Sequence, residues 1–201
     1  MIPSNASARR GRPRDDAADQ RLLAAAFDLI SEAGYAGFNI DEVARRTSIS
    51  KATIYRRWGS GGELLLDVLL DFAARKMSLP NTGKLERDLT TYFRALFGLL
   101  NEQIGEVLRG LVAEAQTTPS FRQEFRERFI MARRAPVQEM LRAAQKRGEL
   151  AHDADIDALL DFIFGAMWYR LLIEHAPLNE KFVTAIAALA KRYCPARQRK
   201  E

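Results

Sequence analysis

An all-α chain in two helical parts is the fold this sequence predicts, and three observations carry the prediction. Apolar residues recur at three- and four-residue spacing along most of its length. No stretch alternates apolar and polar residues as a half-buried strand does. The segment Pro80-Asn81-Thr82-Gly83 breaks the pattern and separates a shorter N-terminal from a longer C-terminal helical region. With 201 residues, 47% of them hydrophobic, the chain is long and apolar enough for one or two domains with a real core. The expected organisation is a basic arm over residues 1–14, a three-helix head with a helix-turn-helix over 15–79, a helical bundle over 80–195 and a basic tail over 196–201.

Taken in order, Met1 to Arg14 has no apolar periodicity and holds Arg9, Arg10, Arg12 and Arg14 with no acid, so it reads as a flexible arm. Arg9-Arg10-Gly11-Arg12-Pro13-Arg14 resembles the Arg-Gly-Arg-Pro core of AT-hook peptides. Arg10, Arg12 and Arg14 suit the narrow, strongly negative minor groove of A·T-rich DNA; a disordered solubilising tail is the other reading. Asp15 to Ala33 is a helix, with Leu22, Ala25, Ala26, Leu29 and Ile30 on one stripe and Gly34 as its stop. Tyr35 and Phe38 are expected to pack under the next helix. Asn39 caps that helix, and Glu42 three residues on completes a capping box.

The stretch Ile40 to Trp58 organises the head. It reads as two short helices joined by a tight turn. Val43 and Ala44 give the first an apolar face, and Ile49 plugs the angle between them. Ser50 opens the second helix, Ala52 is small enough to let the helices approach, and Ile54 faces inward. The outward face carries Lys51, Thr53, Arg56 and Arg57, with Tyr55 beside them. A short helix with a buried seam and a cationic, hydroxylated outer face is what insertion into a DNA major groove requires. Ser60, with Glu63 three residues later, caps a fourth helix running to about Met77.

Beyond the break only helices are expected: Lys84 to about Leu100, Gln103 to Thr117, one long helix from Pro119 to Arg147, Ile156 to Ile173, and Glu180 to Tyr193. Pro136, inside the long helix, should kink it. Ile156 to Ile173 is apolar on more than one face. One face would fill the core, and the surplus points to a homodimer formed through the last two helices, about 155–174 and 180–193. Phe93, Phe97, Phe129, Phe164 and Trp168 are candidates for the wall of a ligand pocket, since aromatic walls with few polar groups suit small apolar molecules; ordinary core is the alternative for each. Arg126, Arg128, Arg133 and Arg134 read as a solvated face of the long helix, and Glu114 as a surface charge, with a polar group of the pocket as its alternative.

Other classes find little support. A net charge of +5 favours a polyanionic partner without proving one. Cys194 is the only cysteine, so no intrachain disulfide forms. No apolar run reaches the roughly 20 residues of a membrane span, and the basic N-terminus lacks a secretory h-region; a soluble cytoplasmic protein is the expectation. His152 and His175 form no metal-ligating pattern, and Gly59 to Gly62 is no phosphate loop. Neither enzyme chemistry, nor a metal, nor a cofactor is expected.

Three blocks together carry a resemblance: Leu22-Leu23-x-Ala25-Ala26 through Gly34-Tyr35, then Ile40-x-x-Val43-Ala44, then Ser50-Lys51-Ala52-Thr53-Ile54-Tyr55-Arg56-Arg57-Trp58-x-Ser60-x-x-Glu63-Leu64. This pattern, over about Asp16 to Met77, resembles the DNA-binding domain of TetR-family transcriptional regulators, and the C-terminal part is similar to a TetR-type regulatory domain. The resemblance implies a homodimer on a palindromic double-stranded operator, usually a repressor, released when a small-molecule effector enters the bundle and moves the helix that starts near Ser60. By position, Lys51, Ala52 and Arg56 fall where the family reads bases. Thr53, Tyr55 and Arg57 fall where it holds phosphates, and Ser50 caps the reading helix. Ser48 stands where the family usually has Gly, at a cost of about 1 kcal/mol if that residue is left-handed. Gly61 and Gly62 replace a usual Lys, removing a phosphate contact and softening the hinge. An architectural DNA-binding protein without an effector is the alternative function.

Overall fold

The computed structural model describes residues 16–192, and its described elements are all helical. Arg10, Arg12 and Arg14, the C-terminal tail and Cys194 lie outside the described residues. Helix α1 (Asp16–Ala33) carries Asp16 and Asp19 in its first turn, where acids complement the helix dipole. It buries Leu22, Ala26, Leu29 and Ile30 and ends at Gly34, whose φ of 67° is left-handed. Helix α2 (Ile40–Thr47) starts at Asn39, whose Oδ1 accepts the Glu42 N–H at 2.8 Å. The expected capping box is only half formed. The Glu42 carboxylate turns to Arg45 and Arg46, each Nε donating at 2.8 Å, because two guanidiniums outcompete one backbone amide.

Ser48 ends α2 with φ 57° and ψ 27°. The left-handed turn that the family resemblance associates with Gly is therefore made here by Ser. Helix α3 (Lys51–Arg57) follows, its N-terminus capped by Ser50 Oγ, which accepts from Thr53 N–H at 3.3 Å. Helix α4 (Gly61–Lys76) is capped by Ser60, whose Oγ accepts from Glu63 N–H at 3.1 Å, while the Glu63 carboxylate reaches back to the Gly59 N–H at 2.8 Å. The break after α4 is pinned from within: Thr82 donates its N–H and its hydroxyl to the buried Asp88 carboxylate, at 2.8 and 2.7 Å.

The bundle comprises α5 (Leu85–Leu100), α6 (Gln103–Thr117), α7 (Pro119–Glu124), a π-helical segment (Phe125–Met131), α8 (Ala132–Lys146), α9 (Ile156–Ile173) and α10 (Glu180–Arg192). One apolar cluster runs without interruption from Leu22 in the head to Ala190 in the last helix. The single long helix expected over Pro119 to Arg147 is instead divided by the π segment. Pro136 has no N–H to offer the carbonyl of Ala132, and the change of hydrogen-bond register lies in the turn just before that deficit. Asp155 caps α9, accepting from Ala158 N–H at 3.0 Å. Helix α10 packs along α5, with the rings of Phe97 and Phe182 stacked at 5.4 Å.

Because Ser48 pays for a left-handed backbone with a Cβ, Ser48→Gly is expected to stabilise the protein by about 1 kcal/mol, or roughly 2–4 °C in Tm. Thermal unfolding followed by circular dichroism checks this; a lower Tm would show that the serine side chain holds the turn by some other contact.

Candidate nucleic-acid interface

Helix α3 is fixed by what it buries. Ile54 is fully buried in the core shared with α2, and Trp58 closes the far end of the helix. That anchorage leaves Lys51, Ala52, Tyr55 and Arg56 exposed on the opposite side, with Thr53 at its edge. Ala52 is therefore on the outer face and does not sit between the helices as expected. Lys51 pairs with Asp41 of α2 at 2.9 Å, and this hydrogen bond raises its pKa, so the ammonium is charged and held at the front of the helix. The hydroxyls of Ser50 and Thr53 lie 3.0 Å apart.

Arg57 departs from the expected placement. Its side chain is half-buried and forms an ion pair with Asp19 of α1. It thus ties the reading helix to the first helix. A cationic residue that composition did not single out lies nearby: Arg45 of α2 is largely exposed, although Glu42 engages it. Arg45 and Arg46 together hold the Glu42 carboxyl down to about 2. The chain's Arg-Arg doublet at 45–46 was its only sequence signal.

The head is held to the bundle along one face of α6. Gln103 donates to the Ser31 carbonyl at 2.6 Å, and Glu106 accepts the Tyr35 N–H at 3.2 Å. The Tyr35 ring lies against Gly110, where a Cβ would come within 2.4 Å of it. Glu114 accepts from the Ser60 hydroxyl at 3.4 Å, and its carboxylate occupies the place a Cβ on Gly62 would need, 2.3 Å away. Positions 103, 106, 110 and 114 share one side of a helix. Glu114 is consequently a half-buried group at the head–bundle junction and not a surface charge. Burial pushes its pKa up, the neighbouring Glu63 charge adds to this, and the Ser60 hydroxyl opposes it. Gly62 leaves room for the end of the Glu114 side chain at the start of α4.

A second link passes through α4. Asp67 accepts from Trp58 Nε1 at 2.7 Å and also binds Arg128 of the π segment. Beyond it, α4, α5, α6, the π segment, α8 and α9 surround a cavity of about 80 Å³. Phe129, Phe164 and Trp168 line it. Phe93 and Phe97 do not: both are buried in the core behind it, Phe93 against Phe164 and Phe97 against Phe182. Sequence periodicity could not tell which side of α5 faced the void, and the residues that line it there are Tyr92, Leu96, Leu99 and Leu100. The expected solvated arginine face is also redistributed. Arg126 is exposed, Arg128 meets Asp67, Arg134 meets Asp161 at 2.5 Å, and Arg133 lies in the cavity wall.

On the far side of the bundle, Phe162, Tyr169 and Ile173 of α9 are each about 60% exposed, with Ala166 between them. Ala185 and Leu189 of α10 border the same surface. His175 packs on Tyr169, ring centres 4.1 Å apart, and His152 is exposed. Among the described residues no group of three His, Cys, Asp or Glu side chains is placed to hold a metal ion, and no helix is long and apolar enough to cross a membrane.

A helix-turn-helix with a basic outer face, carried on an all-α bundle around an apolar cavity, is the build of a DNA-binding transcription regulator. Comparison with known proteins specifies the family. Residues 22–68 match the model for bacterial regulatory proteins of the tetR family, and residues 79–190 match the tetracyclin repressor-like C-terminal domain. The HTH-type transcriptional regulator YdeS of Bacillus subtilis is 34% identical over 175 residues, covering 87% of this chain and 88% of YdeS. The regulator Rv1556 of Mycobacterium tuberculosis is 32% identical over 171 residues, covering 84% and 83%. The crystal structure of the TetR family regulator SCO0332 superposes with a TM-score of 0.77 at 32% identity, over 89% of this chain and 99% of that one. The chain belongs to the TetR family of transcriptional regulators. Regulators of this family generally bind DNA as dimers, are often effector-responsive repressors, and are not enzymes.

The placement of Arg57 separates two kinds of variant. Arg57→Ala and Asp19→Ala should each lower Tm and DNA affinity together. Tyr55→Ala should weaken DNA binding across sequences and leave Tm unchanged. Melting curves beside fluorescence anisotropy on duplex DNA make the comparison; an Arg57→Ala protein with unaltered Tm would return that arginine to a purely phosphate-binding role.

Proposed function

We propose that this protein is a repressor that binds a palindromic operator as a homodimer and is released by a small apolar effector. Helix α3 enters the major groove, with Lys51, Ala52 and Arg56 against base edges and Thr53 and Tyr55 toward phosphates, while Arg57, paired with Asp19, holds the helix on α1. Ser50 fixes the start of that helix, and Arg10, Arg12 and Arg14 of the arm follow the adjacent minor groove. The homodimer forms through α9 and α10, where an exposed apolar stripe at helical spacing asks for a partner of the same shape. Two reading helices related by a two-fold axis then address half-sites about one DNA turn, roughly 34 Å, apart.

One observation carries the effector part of this reading. Leu69, Phe72 and Ala73 in the cavity wall belong to α4, and the first half of the same helix holds the end of the reading helix through the Asp67–Trp58 hydrogen bond. The cavity is far smaller than the several hundred Å³ usual for ligand sites, so an occupant larger than a few atoms has to push its walls apart. Moving α4 or the π segment pulls on Trp58, at the end of α3, through Arg128 and Asp67. A shift shared by both protomers changes the spacing of the reading helices and costs DNA affinity.

Fluorescence anisotropy on duplexes tiled across the DNA flanking the protein's own gene tests the proposal at two salt concentrations. One tile should bind at least ~10³-fold tighter than a scrambled duplex, with affinity falling as salt rises. Equal, salt-sensitive binding to every tile would instead support an architectural DNA-binding protein without an effector.

A further inference from the structure

The cavity carries a charge that its apolar wall does not explain. Arg133 of α8 lies in that wall, half-buried, beside Phe129, with its guanidinium carbon 5.9 Å from the ring centre. The other arginines near it are neutralised: Arg134 by Asp161 at 2.5 Å and by Asp157, and Arg128 by Asp67. Arg133 forms no ion pair among the described residues, and its Nε is shut off from solvent with no hydrogen-bond partner there. Apart from the paired Arg134 and the Tyr92 phenol, the remaining wall is made of apolar side chains. Burial raises the pKa of that phenol, with the Arg133 charge pulling the other way, so Tyr92 stays a neutral hydroxyl donor close to the guanidinium.

A guanidinium facing an apolar wall without a counter-charge is costly to bury, and an anion that meets it removes the cost. The planar fork of arginine matches the two oxygens of a carboxylate. We propose that this cavity takes a monocarboxylate with a slender apolar body. The carboxylate pairs with Arg133, with the Tyr92 hydroxyl as a second donor, and the body lies between Leu69, Phe72, Ile104 and Trp168. The small free volume selects a narrow chain or a single ring over a bulky polycycle. The proposal rests on the reading of this cavity as the effector site, and it names the chemical class of that effector.

The test is direct binding to the full-length protein without DNA, by isothermal titration calorimetry, using octanoate, 1-octanol and octylamine as probes of one length and three charges. Octanoate should bind at least about tenfold tighter than either of the others, the margin of a charge-assisted hydrogen-bonded pair. Arg133→Met should lose that margin and retain weak octanol binding, and Arg133→Lys should keep part of it. Failure of octanoate to bind, equal binding of octanoate and octanol, or an undiminished margin in Arg133→Met would each overturn the proposal. If Arg133→Met does not fold, the wild-type series and Arg133→Lys decide alone. Release of operator DNA is scored separately. Octanoate that binds through Arg133 and leaves DNA bound supports the subsite and overturns the effector reading. Octanol that releases DNA as well as octanoate does overturns the carboxylate subsite and supports the effector reading.

Discussion

The close approach of α6 to the DNA-binding head is the constraint on which the rest of the structure depends. Gly110 lets the Tyr35 ring lie against the helix, and Gly62 leaves room for the Glu114 carboxylate at the start of α4. The two contacts differ in kind. The ring of Tyr35 is wide and half-buried, so crowding it would move the segment between α1 and α2. The Glu114 carboxylate is the end of a flexible side chain that can swing aside. The junction therefore has a firm point at the back of the head and a yielding one where α4 begins. Rotation of the head about the first, with loss of the second, is the motion these contacts permit.

Asp67 gives that motion a direction. One carboxylate binds the indole at the end of α3 and the guanidinium of Arg128 in the π segment. The π segment also contributes Phe129 and Ile130 to the cavity wall. A π turn is a strained departure from regular helix that recurs at functional sites, and here it stands between the cavity and the reading helix. Surface ion pairs such as Lys191–Glu86 and Arg94–Glu180 add little to stability in comparison. The apolar cluster shared by head and bundle holds the two together, so a change of packing around the cavity is felt in both.

Much of the head was legible in the sequence because its determinants are local. Ser50, Ser60 and Asn39 cap the helices that follow them, as short-range hydrogen-bonding patterns require. What escaped were relations between distant segments. Arg57 looked like a third outward cation, but Asp19, thirty-eight positions earlier in the chain, lies beside it. Glu114 looked like a surface charge because its partners Ser60 and Gly62 come from another helix. Apolar periodicity placed Phe93 and Phe97 on the inner side of α5 correctly, but it carries no information about where packing is incomplete, and the void opens beside Tyr92 and Leu96 instead. The adjacent Arg133 and Arg134 were indistinguishable in sequence; the positions of Asp157 and Asp161 separate the paired one from the one that has no ion pair among the described residues.

The central claim is that the state of the cavity sets the position of the reading helices. The most direct test is the distance between the two α3 helices of a dimer, measured by double electron–electron resonance with spin labels on cysteines introduced at Ala52 in a Cys194→Ser background. Filling the cavity from within by Ala73→Leu, on the α4 wall, takes the place of an effector. The account predicts that this substitution shifts the inter-label distance by several ångström and weakens DNA binding, with Tm preserved. An unchanged distance in a folded Ala73→Leu dimer would contradict it.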